Sequence, residues 1–299
     1  MHPVLRDLLE LLQLERIEDN IFRGVSRDIG SPQVFGGQVL GQALTAAQHT
    51  VDGRLAHSLH AYFLRRGDAA APIVYEVDRA RDGGSFSNRR VVAIQHGRPI
   101  LNCAASFQKP EDGLEHQASM PDVPPPDGLR TLHDYAAELP DCVPLKTRRF
   151  ISDKRAFDLR PVTPPQLGTR EKRPPVNHVW LRAVDRLPDD LQLHQNLLAY
   201  VSDYELLGAS TLPHGLAFGR DNVILASLDH ALWFHRALRV DEWLLYAIDS
   251  PNASGARGFS RGQLFTQDGT LVASAVQEGL VRVVDAGRAR KRSNPKHQR

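Results

Sequence analysis

Cysteine is scarce: the 299 residues hold only Cys103 and Cys142. That excludes a disulfide framework and a thiolate metal site, and it implies a reducing, cytoplasmic setting. Long apolar runs are missing too. The apolar stretch 4–14 is interrupted by Arg6, Asp7 and Glu10. It is read as a short amphipathic helix rather than a signal peptide, and nothing approaches a transmembrane span. Acidic residues are absent after Asp285, whereas Arg288, Arg290, Lys291, Arg292, Lys296 and Arg299 follow. The formal net charge of +2 becomes −4 once these six are set aside. No aromatic residue accompanies the basic run. Residues 287–299 are therefore read as a disordered solubilising tail, and no nucleic-acid or membrane partner is expected.

What is present is a soluble globular composition in a chain long enough for one large domain or two of ordinary size. The segment 191–207, LQLHQNLLAYVSDYELL, places Leu193, Leu197, Tyr200, Val201 and Tyr204 at helical spacing after a capping Asp189 or Asp190. Asp203 falls on the edge of that apolar face, where a carboxylate is expected to be part-buried. Such a residue is either a solvated Asp or a group held in a site that tunes its basicity. An earlier helix is read over 35–47, FGGQVLGQALTAA, from the stripe Phe35, Val39, Ala43 and Ala47. Gly36, Gly37 and Gly41 are poor helix formers, so they need a reason. Small residues let a helix lie close to a sheet, and Gly36 and Gly37 leave N-terminal N–H groups open to a ligand oxygen.

Strand patterns follow each helix. In the first half they cover 57–64, 73–77, 85–95 and 100–107, after an initial strand at 17–22; in the second, 223–234, 243–248, 257–266 and 270–284. Tyr75 of PIVYEV and Tyr246 of WLLYAI lie 171 positions apart, as do Leu101 and Val272. Ser58-Leu59-His60 also resembles Ser227-Leu228-Asp229. The chain therefore reads as a tandem duplication of α+β units, each a long helix and an antiparallel sheet. The expected division is 1–110, a proline-rich linker at 111–148, a second unit at 149–286, and the tail.

VFGGQVLGQAL, HSLHAYFLRRGD, LDHALWFHR and the run from ASGARGFSRG through LVASAVQEG resemble the acyl-CoA thioesterase II family over nearly all of 5–282. The resemblance implies a double hotdog fold and hydrolysis of fatty acyl-CoA without metal or cofactor. It also implies three functional residues: Asp203 in AYVSDYELL, Ser227 in LASLDH and Gln277 in SAVQEG. Bacterial relatives often carry Thr where this chain has Ser227, and the hydroxyl is kept. Hotdog units tend to associate, so a homo-oligomer, dimer or tetramer, is expected.

A thioester needs a positioned water, a proton acceptor and donors for the carbonyl oxygen, because its leaving thiolate is stable near neutral pH. Asp203 can accept from water, while Ser227 and Gln277 can hold it. Coenzyme A phosphates call for cations at the groove mouth, and Arg65 and Arg257 are the candidates. Ser106 stands near the place of Gln277 in the first half, which implies that the halves are not equally catalytic. Two other readings compete. Gly258-Phe259-Ser260-Arg261-Gly262 is a literal G-x-S-x-G, but a hairpin rather than a helix follows it, and no His lies downstream except His297. A non-catalytic acyl-CoA binder would keep the groove and tolerate loss of Asp203. His57 and His60, three apart on a strand, face opposite sides and cannot share an ion.

Overall fold

In a computed structural model of the chain, the described residues are 1–29, 33–139, 143, 148, 155–166, 170–216 and 223–284. Residues 140–142 and 144–147 of the linker, Cys142 among them, and the basic tail lie outside them. The first helix, α1 (Pro3–Leu12), starts with proline in its first turn and buries Leu5, Leu8, Leu11 and Leu12 along one face. A hairpin, β1 (Glu15–Glu18) and β2 (Ile21–Gly24), replaces the single strand expected at 17–22. Then come α2 (Gly36–Gln48), β3 (Leu55–Phe63), β4 (Ile73–Asp82), β5 (Phe86–Gln95) and β6 (Arg98–Gln108). Beyond the linker, which holds a short α3 (Leu132–Ala136), lie β7 (Phe157–Pro161), β8 (Val176–Ala183) and α4 (Leu191–Val201). A 3₁₀ helix (Leu207–His214) precedes β9 (Val223–Ser227), β10 (Asp229–Phe234), β11 (Leu244–Ser254), β12 (Arg257–Thr266) and β13 (Leu271–Val283).

One continuous antiparallel sheet runs β1-β2-β4-β5-β6-β3-β10-β13-β12-β11-β8-β7, with β9 added on β13. The orders β2-β4-β5-β6-β3 and β8-β11-β12-β13-β10 mirror each other across the β3–β10 pair, where His60 faces Ala231. The two α+β units thus share one sheet, and α2 and α4 pack on each other inside it. This is the double hotdog arrangement. Every residue of α2 from Gly37 to Gln48 is buried, so the apolar stripe extends all round, as in a central helix. Among its buried glutamines, Gln42 accepts from the Tyr75 hydroxyl at 2.7 Å and donates to Leu11 O at 2.6 Å. No helix among the described residues is long and apolar enough to cross a membrane.

Two further features differ from the sequence reading. The second helix ends at Val201, not near 207. Asp190 caps its start, accepting from the Gln192 and Leu193 N–H groups. At the other end Ser202 closes the last turn, and Glu205 takes the left-handed conformation with φ 64°, which breaks the helical run. The linker does more than connect. Met120, Val123 and Leu129 pack on a small core around Trp180 and Trp243, and the Trp180 indole donates to Pro124 O at 2.9 Å.

Candidate active site

The turn after α4 carries Asp203 into the contact between the helices. Its Oδ2 accepts from the Gly37 N–H at 2.9 Å, so the first turn of α2 in one unit holds a carboxylate of the other. The glycines permit this approach. A Cβ on Gly37 would lie 2.1 Å from Tyr200 O, and one on Gly36 would lie 2.7 Å from Asp203 Oδ2. The Gly37 N–H, expected to be open to a ligand oxygen, is therefore engaged by Asp203. The other carboxylate oxygen, Oδ1, accepts from Gln277 Nε2 on β13 at 2.6 Å, and the Ser227 side chain at the end of β9 also hydrogen-bonds Asp203.

All these partners are neutral, and among the described residues no ion pair reaches Asp203. Burial pushes its pKa up to about 6, against the hydrogen bonds from Gln277, Gly37 and Ser227 that pull it down. One edge of the carboxylate remains open to a cavity of about 530 Å³. Gly36, Ser227 and Gln277 line the same cavity, together with apolar Val34, Phe35, Val39, Phe63 and Leu225. Arg65, Arg66, Arg155 and Arg173 line it as well. Arg257 does not: it is exposed on β12 and ion-paired with Glu278 at 2.9 Å.

Ser260 sits in the middle of the unbroken strand β12, 0% exposed, and its Oγ has no hydrogen-bond partner. A nucleophile elbow needs a sharp turn and an adjacent base, and neither is there. Gly258 and Gly262 serve packing instead, since a Cβ at either would lie 2.2 Å from Ser210 Oγ or from the Tyr246 ring. His57 bonds Ser106 Oγ at 2.8 Å, and the His60 ring lies edge-on to Trp233. No grouping of three metal-ligating side chains occurs among the described residues.

Sequence reasoning missed His230. It is fully buried on β10, with Nδ1 3.3 Å from Gln277 Nε2 and Nε2 2.9 Å from Ser202 Oγ. Burial holds it neutral, with its pKa pushed down to about 3. The available signal was strand parity: His230 lies on the same inward face as Leu232 and Phe234.

A family model described as acyl-CoA thioesterase matches residues 148–280, and one for the acyl-CoA thioesterase N-terminal domain matches 25–108. The chain is 41% identical over 285 residues to acyl-CoA thioesterase 2 of Haemophilus influenzae, covering 94% of this chain and 99% of the relative. It is 40% identical over 282 residues to human acyl-coenzyme A thioesterase 8, covering 91% and 88%. The solved acyl-CoA thioesterase II TesB2 of Mycobacterium marinum superposes with a TM-score of 0.75 at 43% identity, over 94% of this chain and 98% of that one. The chain belongs to the acyl-CoA thioesterase family.

In this acyl-CoA thioesterase family member the two units are not equivalent at the Asp203 position. The register that aligns Tyr75 with Tyr246 places Arg89, opposite Ala105, where Ser260 stands opposite Gln277. Gln277 thus corresponds to Ala105, not to Ser106. The β12–β13 hairpin is one residue longer, with Phe265 facing Leu271 where Ile94 faces Pro99. Leu59, opposite Ala105, takes the place of His230. The Ser58-Leu59-His60 likeness to Ser227-Leu228-Asp229 is therefore two residues out of register, because the chain breaks at Leu228 between β9 and β10. Thr50, two residues past the end of α2, corresponds to Asp203. The buried Arg89 guanidinium fills the space beside it, bonding Thr50 Oγ1 at 2.8 Å, Thr50 O at 2.9 Å and Asp82 at 2.6 Å.

Proposed function

We propose that this chain hydrolyses fatty acyl-CoA to free fatty acid and coenzyme A by direct attack of a water held by Asp203, Ser227 and Gln277. Family membership makes it an acyl-CoA thioester hydrolase. The observation that carries the mechanism is Asp203 itself: a carboxylate at an apolar cavity, anchored by neutral donors, with its basicity raised by burial to about 6. It is ionised near neutral pH, yet basic enough to take a proton from water as the C–O bond forms. Gly37, Gln277 and Ser227 occupy three of the carboxylate's four lone-pair sites, so the water can be gripped at the fourth without losing an anchor. The thiolate of coenzyme A leaves unaided, which is why a buried acid is not required.

The apolar cavity wall suits the acyl chain, with Gly36 beside the thioester. Arg65, together with the other arginines lining the cavity, suits the phosphates. Tyr62 and Phe86 are 63% and 44% exposed, and this supports assembly into a homo-oligomer, a dimer or tetramer; light scattering at a single-chain mass contradicts it. The function is tested by thiol release from a panel of acyl-CoAs from acetyl to palmitoyl. Release confined to thioesters with an apolar chain is expected. Binding without release from any of them would make the chain an acyl-CoA binder instead.

A further inference from the structure

We propose that His230 is a positioning residue for hydrolysis, fixing the Gln277 amide with its N–H groups toward Asp203. The proposal rests on the reading that Asp203 is the base.

Its support is a chain of hydrogen bonds whose direction is consistent from end to end when Asp203 is ionised and accepts from Gln277 Nε2. Ser202 Oγ donates to Ala199 O, a fixed carbonyl in the last turn of α4, at 3.2 Å. With its one proton on that carbonyl, the hydroxyl accepts from His230 Nε2, 2.9 Å away. The neutral imidazole carries one N–H, so Nδ1 must be bare and must accept from Gln277 Nε2 at 3.3 Å. The amide's other N–H then points at Asp203 Oδ1, 2.6 Å away. A flipped amide would set its oxygen against both the bare Nδ1 and the carboxylate, two repulsive contacts. The helix carbonyl thus dictates, through two side chains, which way Gln277 faces.

Two further observations tie this relay to the site rather than to the fold. Tyr246 OH donates to Ser202 O at 2.9 Å, whereas its repeat partner Tyr75 donates to Gln42. The corresponding position of His230 in the first unit is Leu59, opposite Ala105, so the same strand geometry accepts an apolar residue where there is no carboxylate to serve. His230 needs no charge for this part, and burial keeps it uncharged.

The test combines two readouts. In ¹⁵N NMR of the wild-type protein, His230 should be the Nε2–H tautomer and should not titrate between about pH 5 and 8; an Nδ1–H tautomer or titration in that range overturns the proposal. In kinetics, H230L should lower kcat for thiol release on the order of 10-fold to 100-fold, the scale of one weakened hydrogen bond to a charged group. KM should change little, and the acid limb of kcat/KM should move to higher pH because Asp203 loses a donor. H230N keeps an acceptor near Nδ1 and should recover part of the loss. On a Q277A background H230L should add almost nothing. An unshifted acid limb, or the same loss with and without Gln277, overturns the role of His230. Full activity of D203N, run alongside, would instead overturn the reading of Asp203 as base.

Discussion

Asp203 and Gly37 belong to different halves of the chain, yet the Gly37 N–H holds the Asp203 carboxylate at 2.9 Å. The duplicated helices cross so closely that a methyl group on Gly37 would meet Tyr200 O at 2.1 Å. The helix of the first unit therefore completes a site whose carboxylate, hydroxyl and amide all come from the second. This gives a physical reason for two units in one chain.

Substitution of the two glycines should separate stability from chemistry. In G37A the new methyl meets backbone, Tyr200 O, which cannot give way, so the fold should lose about 1–3 kcal/mol or more. In G36A the nearest atoms are the tips of the Asp203 and Phe63 side chains, which can move. G36A should melt closer to wild type but release thiol much more slowly. Thermal unfolding and thiol release on the same preparations distinguish the two.

The pH dependence follows from Asp203. The base must be ionised, so kcat/KM should fall as pH drops through about 6. Q277A removes a hydrogen bond that favours the charged form, and its acid limb should lie at higher pH. The linkage sign is set by the raised pKa. Between the ordinary carboxylate range and about 6 the folded chain keeps a proton that the unfolded chain has lost. Stability contributed by protonated Asp203 is therefore surrendered as pH rises through that window. The stability of wild type relative to D203A should fall as pH rises from the ordinary carboxylate range to about 6 and level off above it; parallel profiles contradict the shift.

Much of this was legible in the sequence. The 171-residue offset of Tyr75 and Tyr246, the glycines at the start of α2, and the strand Arg257–Thr266 follow from periodicity and turn residues. Three things did not. The helix carrying Asp203 reads apolar through Leu207, and only the left-handed Glu205 and the pull of Gly37 end it at Val201. One extra hairpin residue shifts the repeat by a position, so Ser106 seemed to match Gln277. His230 was passed over because a lone histidine on a strand carries no spacing signal; its meaning lies in partners 28 and 47 positions away.

Ser260 should be dispensable. S260A removes a buried hydroxyl with no hydrogen-bond partner and should leave thiol release within a few-fold of wild type. Direct attack by water, as proposed, predicts no burst of thiol and no acyl-enzyme in rapid-quench experiments. A dead S260A with a burst in wild type contradicts the account.

Arg89 should matter for folding and not for chemistry. R89A strips the Thr50, Arg81 and Asn88 carbonyls of a buried donor and should cost at least about 3 kcal/mol in denaturant unfolding. Thiol release per folded molecule should be unchanged, because the first-unit position holds Thr50 where the second holds Asp203.

The most direct test of the central claim is the turnover number of D203N with a long-chain acyl-CoA near neutral pH. Asn keeps the shape of the side chain but cannot take a proton from water. The account predicts a fall in kcat on the order of 10²–10⁴, the usual range for a general base, with acyl-CoA still bound. It also predicts that adding S227A and Q277A costs far less than the product of the single losses, since the three hold one water. A D203N enzyme that releases thiol at the wild-type rate would contradict the account and place the chemistry elsewhere in the chain.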